Sequence, residues 1–146
     1  MQLNHLNLTV PDVTLSREFL ETYFGLECVA DKGNNSIAIL TDESGFILTL
    51  NNFEKVSEVT YPGAFHIGFM QESRERVDEI YRHLKSDGFE VDPPKSFMGP
   101  GPFTSSLQAA SWSKSCINIG NECDDNFMKK VLHRAYIVSY TDHQYG

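Results

Sequence analysis

His5 and His66 are the residues whose type and spacing best suit chemistry. They stand in look-alike segments, Asn4-His5-Leu6-Asn7-Leu8-Thr9-Val10 and Phe65-His66-Ile67-Gly68-Phe69-Met70. Each reads as an apolar strand with a histidine near its start, then a polar turn and a helical pattern. The first helical run stops at Gly25 and the second at Gly88, so the landmarks recur 61 and 63 residues apart. A recurrence of that length within 146 residues implies a duplicated module. Each copy offers one imidazole, a side chain that binds divalent metals when neutral. A lone histidine on an apolar strand is more often structural, so the metal reading rests on the repetition.

The elements that must position these histidines follow from periodicity. Residues 3–10 alternate, with Leu6, Leu8 and Val10 against His5, Asn7 and Thr9, which predicts a strand. Pro11-Asp12 breaks it, and Asp12 or Thr14 caps a helix that carries Phe19, Leu20, Tyr23 and Phe24 on one face and stops at Gly25. Three strands follow, over Glu27–Lys32, Ser36–Leu40 and Phe46–Leu50. Gly33-Asn34-Asn35 and Asp42-Glu43-Ser44-Gly45 make the turns between them. The first module therefore reads βαβββ. In the second, a strand over 64–70 leads into a helix with Val77, Ile80, Tyr81 and Leu84 in one stripe. Asp87-Gly88 ends that helix, and Phe89-Glu90-Val91 is expected to begin the next strand. Residues 98–116 then show neither alternation nor strand-rich composition.

Composition narrows the function classes. The net charge of −8 lies wholly in residues 1–97, where 16 acidic residues face 8 basic ones. That balance argues against a nucleic-acid or anionic-membrane partner, because no basic stripe is available to neutralise phosphates. No apolar run is long enough to span a bilayer, and the first residues lack the pattern of a signal peptide. Cys28, Cys116 and Cys123 form no CxxC pair, so a reduced, cytoplasmic setting is expected. Cys28, beside Leu26 and Val29, reads as a packing residue. Phe46, Leu48, Leu50 and Phe69 read as core. His83 falls among charges on a helix face, and His133 and His143 receive no role. Asn51-Asn52 either lines a site or ends the fourth strand.

Residues 1–97 resemble the vicinal oxygen chelate superfamily, which includes glyoxalase I, fosfomycin-resistance transferases, bleomycin-resistance proteins and extradiol dioxygenases. The resemblance is carried by Leu3-Asn4-His5-Leu6, the Pro11-Asp12 break and the Phe19…Tyr23-Phe24-Gly25-Leu26 helix end. It continues through Phe65-His66-Ile67-Gly68-Phe69 and Leu84…Asp87-Gly88-Phe89. It implies an α+β fold of paired βαβββ modules forming a curled mixed sheet, with a single glyoxalase-like domain over about residues 1–116. Module one covers about 1–53 and module two about 64–116. Residues 117–146 form a tail without an assigned part.

The resemblance also implies a divalent metal (Mn, Fe, Ni or Zn) held by His5, His66 and a glutamate from a last strand. Such a centre would polarise vicinal oxygens of a small substrate in lyase, transferase or dioxygenase chemistry. The second reading is a metal-free protein that sequesters a small ligand, as bleomycin-resistance proteins do. A homodimer is implied in either case. Phe46–Leu50 contains no carboxylate, so a first-module glutamate ligand is not expected. Glu122, Asp124 and Asp125 have no spacing that favours them as replacements. The second-module glutamate belongs in a strand resembling Pro-Gly-Gly-Phe-x-Val-Glu-Val, which the chain lacks.

The genetic code suggests where that strand went. In the neighbouring frame, Met98 to Cys116 permits His-Gly-Ala-Trp-Thr-Phe-Tyr-Phe-x-Ala-Pro-Gly-Gly-Phe-x-Val-Glu-Val-Leu, if the serines are TCN. Trp112 is encoded only by TGG, which forces the valine before the glutamate. The glutamate codon would straddle Ser113 and Lys114. One base lost near codons 96–98 would therefore make everything from about Met98 out-of-frame, leaving an inactive product without the third ligand near Lys114. The other reading of the tail is a divergent C-terminal extension.

Overall fold

A computed structural model describes residues 3–62, 65, 67–89 and 91–94, and the backbone of 103–108 and 136–141. The described residues fall into two compact units, one up to Thr60 and one after it.

The first unit has the order β1 (His5–Thr9), α1 (Val13–Phe24), β2 (Glu27–Asp31), β3 (Ile37–Thr41) and β4 (Ile47–Asn51), which is the expected βαβββ. Its sheet runs β1-β4-β3-β2. β1 and β4 are parallel, while β4/β3 and β3/β2 are antiparallel, with a bulge between Cys28 and Ala30. Period-two alternation gives the sheet two unlike faces. Leu8, Val10, Ala38, Leu40, Leu48 and Leu50 are buried together with Val13, Phe19, Leu20 and Tyr23 of α1. Register confirms the shared face: Leu8 pairs with Leu50, and Leu40 with Leu48. Of the residues expected in the core, Leu48 and Leu50 are buried, whereas Phe46 and Phe69 are half-buried.

Local chemistry sets the ends of α1. Asp12 is extended and its carboxylate accepts a 2.9 Å hydrogen bond from the Leu15 amide, satisfying an otherwise unpaired helix N–H. Asp12→Ala is expected to cost about 1 kcal/mol of stability, measured by urea unfolding. Gly25, at φ 68°, ends the helix, and its N–H reaches the Leu20 carbonyl. Between β2 and β3, Gly33, Asn34 and Asn35 all take positive φ, as glycine and asparagine most readily do. Asn35 accepts from the Val13 amide and donates to the Pro11 carbonyl, tying this turn to the β1–α1 loop. In the β3–β4 turn, partial burial pushes the Asp42 carboxyl up. Hydrogen bonds from Ser44, Phe46 and Gly45 outweigh that and hold it below its ordinary value.

The second unit contains β5 (Ile67–Gln71), α2 (Arg74–Ser86), β6 (Phe103–Gln108) and β7 (Tyr136–Thr141). Its sheet order is β5-β7-β6, with β7 parallel to β5 and antiparallel to β6. Ser73 caps α2 by accepting from the Arg76 amide at 3.2 Å, and Val77, Ile80 and Leu84 form its buried stripe. Two expectations are corrected here. Phe89 and Val91 lie outside any strand. The Phe89 N–H bonds the Leu84 carbonyl at 2.9 Å and Gly88 bonds Lys85 at 3.1 Å, so Phe89 completes the end of α2. Conversely, β6 lies inside the stretch whose composition predicted no strand. Its ladder partner β7, Tyr-Ile-Val-Ser-Tyr-Thr, is rich in strand formers and lies within 117–146. No helix among the described residues is long and apolar enough to cross a membrane.

Candidate functional site

β1 carries the site because its two faces divide cleanly. With Leu8 and Val10 turned to the core, His5, Asn7 and Thr9 occupy the opposite face. The parallel partner β4 sets Ile47, Thr49 and Asn51 beside them: His5 pairs with Ile47, Asn7 with Thr49 and Thr9 with Asn51. The side of the sheet away from α1 therefore bears a row of imidazole, carboxamide and hydroxyl groups.

His5 is exposed, and its ring Nδ1 lies 2.7 Å from the Asn4 side-chain oxygen. An amide oxygen only accepts, so Nδ1 is the donor in this contact and Nε2 is the ring nitrogen left to face outward. Metal-ligating histidines are oriented by a hydrogen bond of this kind from the other ring nitrogen. Further along the row, the Asn51 carboxamide donates to the Asn7 side-chain oxygen at 2.8 Å and to the Leu8 carbonyl at 3.0 Å. The Thr9 hydroxyl approaches the Asn51 oxygen at 3.5 Å. Asn7, Thr9 and Thr49 received no functional part from the sequence. The signal was nonetheless present, since Asn7 and Thr9 share the parity of His5.

The pair Asn51-Asn52 divides between the two readings left open for it. Asn51 ends β4 on the His5 face. The buried Asn52 ties loops, donating to the Pro11 and Val56 carbonyls and accepting from the Val56 amide. Cys28 is half-buried and its amide donates to Glu21 at 3.2 Å, a structural setting. His83 lies on the solvated face of α2, with Nε2 3.4 Å from Asp87. His66, Lys114, His133, His143, Glu122, Asp124 and Asp125 lie outside the described residues.

The donors suit a metal in part. His5 offers an exposed imidazole oriented by Asn4, whereas β4, with Ile47, Thr49 and Asn51 on the same face, adds no carboxylate. Among the described residues, no three histidine, cysteine or carboxylate side chains converge. β7 stands beside β5 as β4 stands beside β1, the place where the resemblance puts the glutamate. Its sequence, Tyr136 to Thr141, contains no carboxylate.

Comparison with known proteins agrees with the topology. The family model of the glyoxalase/bleomycin resistance protein/dioxygenase superfamily matches residues 2–105. The chain belongs to that superfamily. It is 30% identical over 98 residues to the fosfomycin resistance protein FosX of Listeria innocua, covering 64% of this chain and 71% of that protein. A solved structure described as a possible glyoxalase from Bacillus cereus is 37% identical, with a TM-score of 0.64 over 97% of this chain and 99% of that one. A FosX mutant from Listeria monocytogenes, solved with Mn(II) and 1S,2S-dihydroxypropylphosphonic acid, shares the fold at a TM-score of 0.60. It is 20% identical, over 98% of this chain and 94% of that one.

Proposed function

We propose that the chain is built for divalent-metal-dependent lyase, transferase or dioxygenase chemistry on a small oxygen-rich molecule, with His5 and His66 as metal ligands. The observation that carries this reading is the His5 ring: Nδ1 lies 2.7 Å from the Asn4 side-chain oxygen, and the exposed imidazole stands on a polar sheet face. A bound divalent ion would supply Lewis-acid polarisation of vicinal oxygens. The chain's own residues hold that ion and present hydrogen-bond donors to the molecule. The FosX relatives support Mn2+ as the first metal to test and a phosphonate as the first class of ligand. We take the working form to be a cytoplasmic homodimer.

We also take the chain from about Met98 to be out-of-frame, which removes the glutamate. The family match, ending at residue 105, supports this reading. Two imidazoles alone hold metal weakly, so the chain as it stands should bind Mn2+ only at high concentration. The sequestering, metal-free reading is favoured by a different observation, the lack of any carboxylate in the sequences of β4, β6 and β7.

The two readings separate in a thermal melt. Mn2+ at about tenfold over its Kd contributes roughly 1.4 kcal/mol, a rise of about 3–6 °C in Tm. Chelator should reverse the rise, and His5→Ala or His66→Ala should abolish it. A melting temperature indifferent to Mn2+ and chelator would put the sequestering protein in its place.

A further inference from the structure

We infer that Asn51 is a positioning residue that fixes the polarity of the Asn7 carboxamide, so that the row beside His5 presents N–H donors to an oxyanionic ligand. This deepens the proposed function and rests on it for the use of the face.

The argument starts from a group that cannot change its role. The Leu8 backbone carbonyl only accepts, and the Asn51 side-chain nitrogen donates to it at 3.0 Å. That contact sets which end of the Asn51 amide faces β1. Asn51 is only 8% exposed, so it cannot turn over without leaving the Leu8 carbonyl and its own nitrogen unpaired in a buried place. The same nitrogen lies 2.8 Å from the Asn7 side chain, so the Asn7 atom facing it must be oxygen. Turning Asn7 over would set one NH2 group against another. The Asn7 oxygen is thus held against β4 and its NH2 group is directed elsewhere.

Asn7 is exposed, and among the described residues its side-chain nitrogen has no hydrogen-bond partner. His5 lies two residues earlier on the same face, roughly 6.6 Å along the strand. The row therefore offers an imidazole at His5 and N–H donors at Asn7. An anionic oxygen is the acceptor that best matches those donors, because charge-assisted hydrogen bonds exceed neutral ones. A ligand presenting only donors at that point would be refused. Asn51 is the origin of this preference without touching the ligand.

The test uses the full chain in chelator, so that its result does not depend on whether His5 binds metal. In the unaltered protein, methylphosphonate is titrated while the side-chain NH2 signals of Asn7 and Asn51 are followed by NMR. The Asn7 pair is expected to shift with saturation, while the Asn51 pair stays in place and exchanges slowly with solvent. A shift of the Asn51 pair with the Asn7 pair unmoved, or no binding, would overturn the assignment.

A double-mutant cycle supplies the second readout. In Asn51→Asp the bond to the Leu8 carbonyl is lost and the carboxylate can only accept from Asn7, so Asn7 turns its nitrogen inward and methylphosphonate affinity falls about tenfold. A threonine at position 7 rotates its hydroxyl to suit either neighbour. On the Asn7→Thr background, Asn51→Asp should therefore change affinity by less than about threefold. An equal loss on both backgrounds would mean that the added charge acts through space and that Asn51 does not position Asn7. Loss of the Mn2+ response in the melts, with this cycle intact, would sink the metal reading alone.

Discussion

Truncating Leu20 to alanine is expected to lower the unfolding free energy by about 2–5 kcal/mol, the range for a large aliphatic side chain removed from a closed core. Leu20 is 0% exposed and sits on the buried face of α1, which packs on β2, β3 and β4. Its carbonyl also accepts from Gly25 and from Leu26 at 3.4 Å, so this fully buried position also anchors the end of the helix. The lost methyl groups leave a cavity that neighbouring strands, fixed by their ladders, can only partly close. Against a typical total of roughly 5–15 kcal/mol, such a loss leaves the first unit near its midpoint in mild denaturant. Phe53→Ala is the control: that ring is 63% exposed, and its removal should stay within about 0.5 kcal/mol. Urea unfolding of the two variants decides the matter. A Leu20→Ala loss below about 1 kcal/mol would mean that α1 does not seal the sheet.

The first module was legible because each of its boundaries has a local chemical cause. Pro11-Asp12, Gly25, Gly33-Asn34-Asn35 and the Asp42 turn fall where the chain changes direction, and the strands between them alternate. The expected Ser36–Leu40 and Phe46–Leu50 differ from the observed Ile37–Thr41 and Ile47–Asn51 by one residue at each end. The stripe of α2 was equally plain, since Val77, Ile80 and Leu84 are its buried residues. Phe89 was misread because an aromatic beside a valine has strand propensity, whereas a backbone bond to Leu84 claims it for the helix end. β6 was invisible because Phe-Thr-Ser-Ser-Leu-Gln has no alternation, and only its partner makes it a strand. At the site, the histidine pattern drew attention to His5. The part of Asn51 was hidden because it depends on cross-strand pairing to β1, which no local pattern encodes.

Restoring one base near codons 96–98 is expected to tighten Mn2+ binding by on the order of 100-fold, about 2.8 kcal/mol. The reason lies in how the modules repeat. In the first unit, β4 runs parallel to β1 and pairs Ile47 with His5. In the second, β7 runs parallel to β5 and pairs Tyr136 with Ile67, the residue after His66. A last strand in that place is where a carboxylate could stand beside β5, and Tyr-Ile-Val-Ser-Tyr-Thr supplies none. The neighbouring frame permits Val-Glu-Val instead, after a Pro-Gly-Gly turn suited to joining two strands. On the proposed function, a third protein ligand would convert a weak pair of imidazoles into a site that still leaves positions open for substrate oxygens. Changing the restored glutamate to glutamine should return the affinity to that of the present chain, while the melting temperature without metal stays put. Coding DNA that lacks the string, or a restored chain that binds Mn2+ no tighter, would make the tail a genuine extension. The place beside β5 would then belong to β7 by right, and the sequestering function would be the better account of the protein.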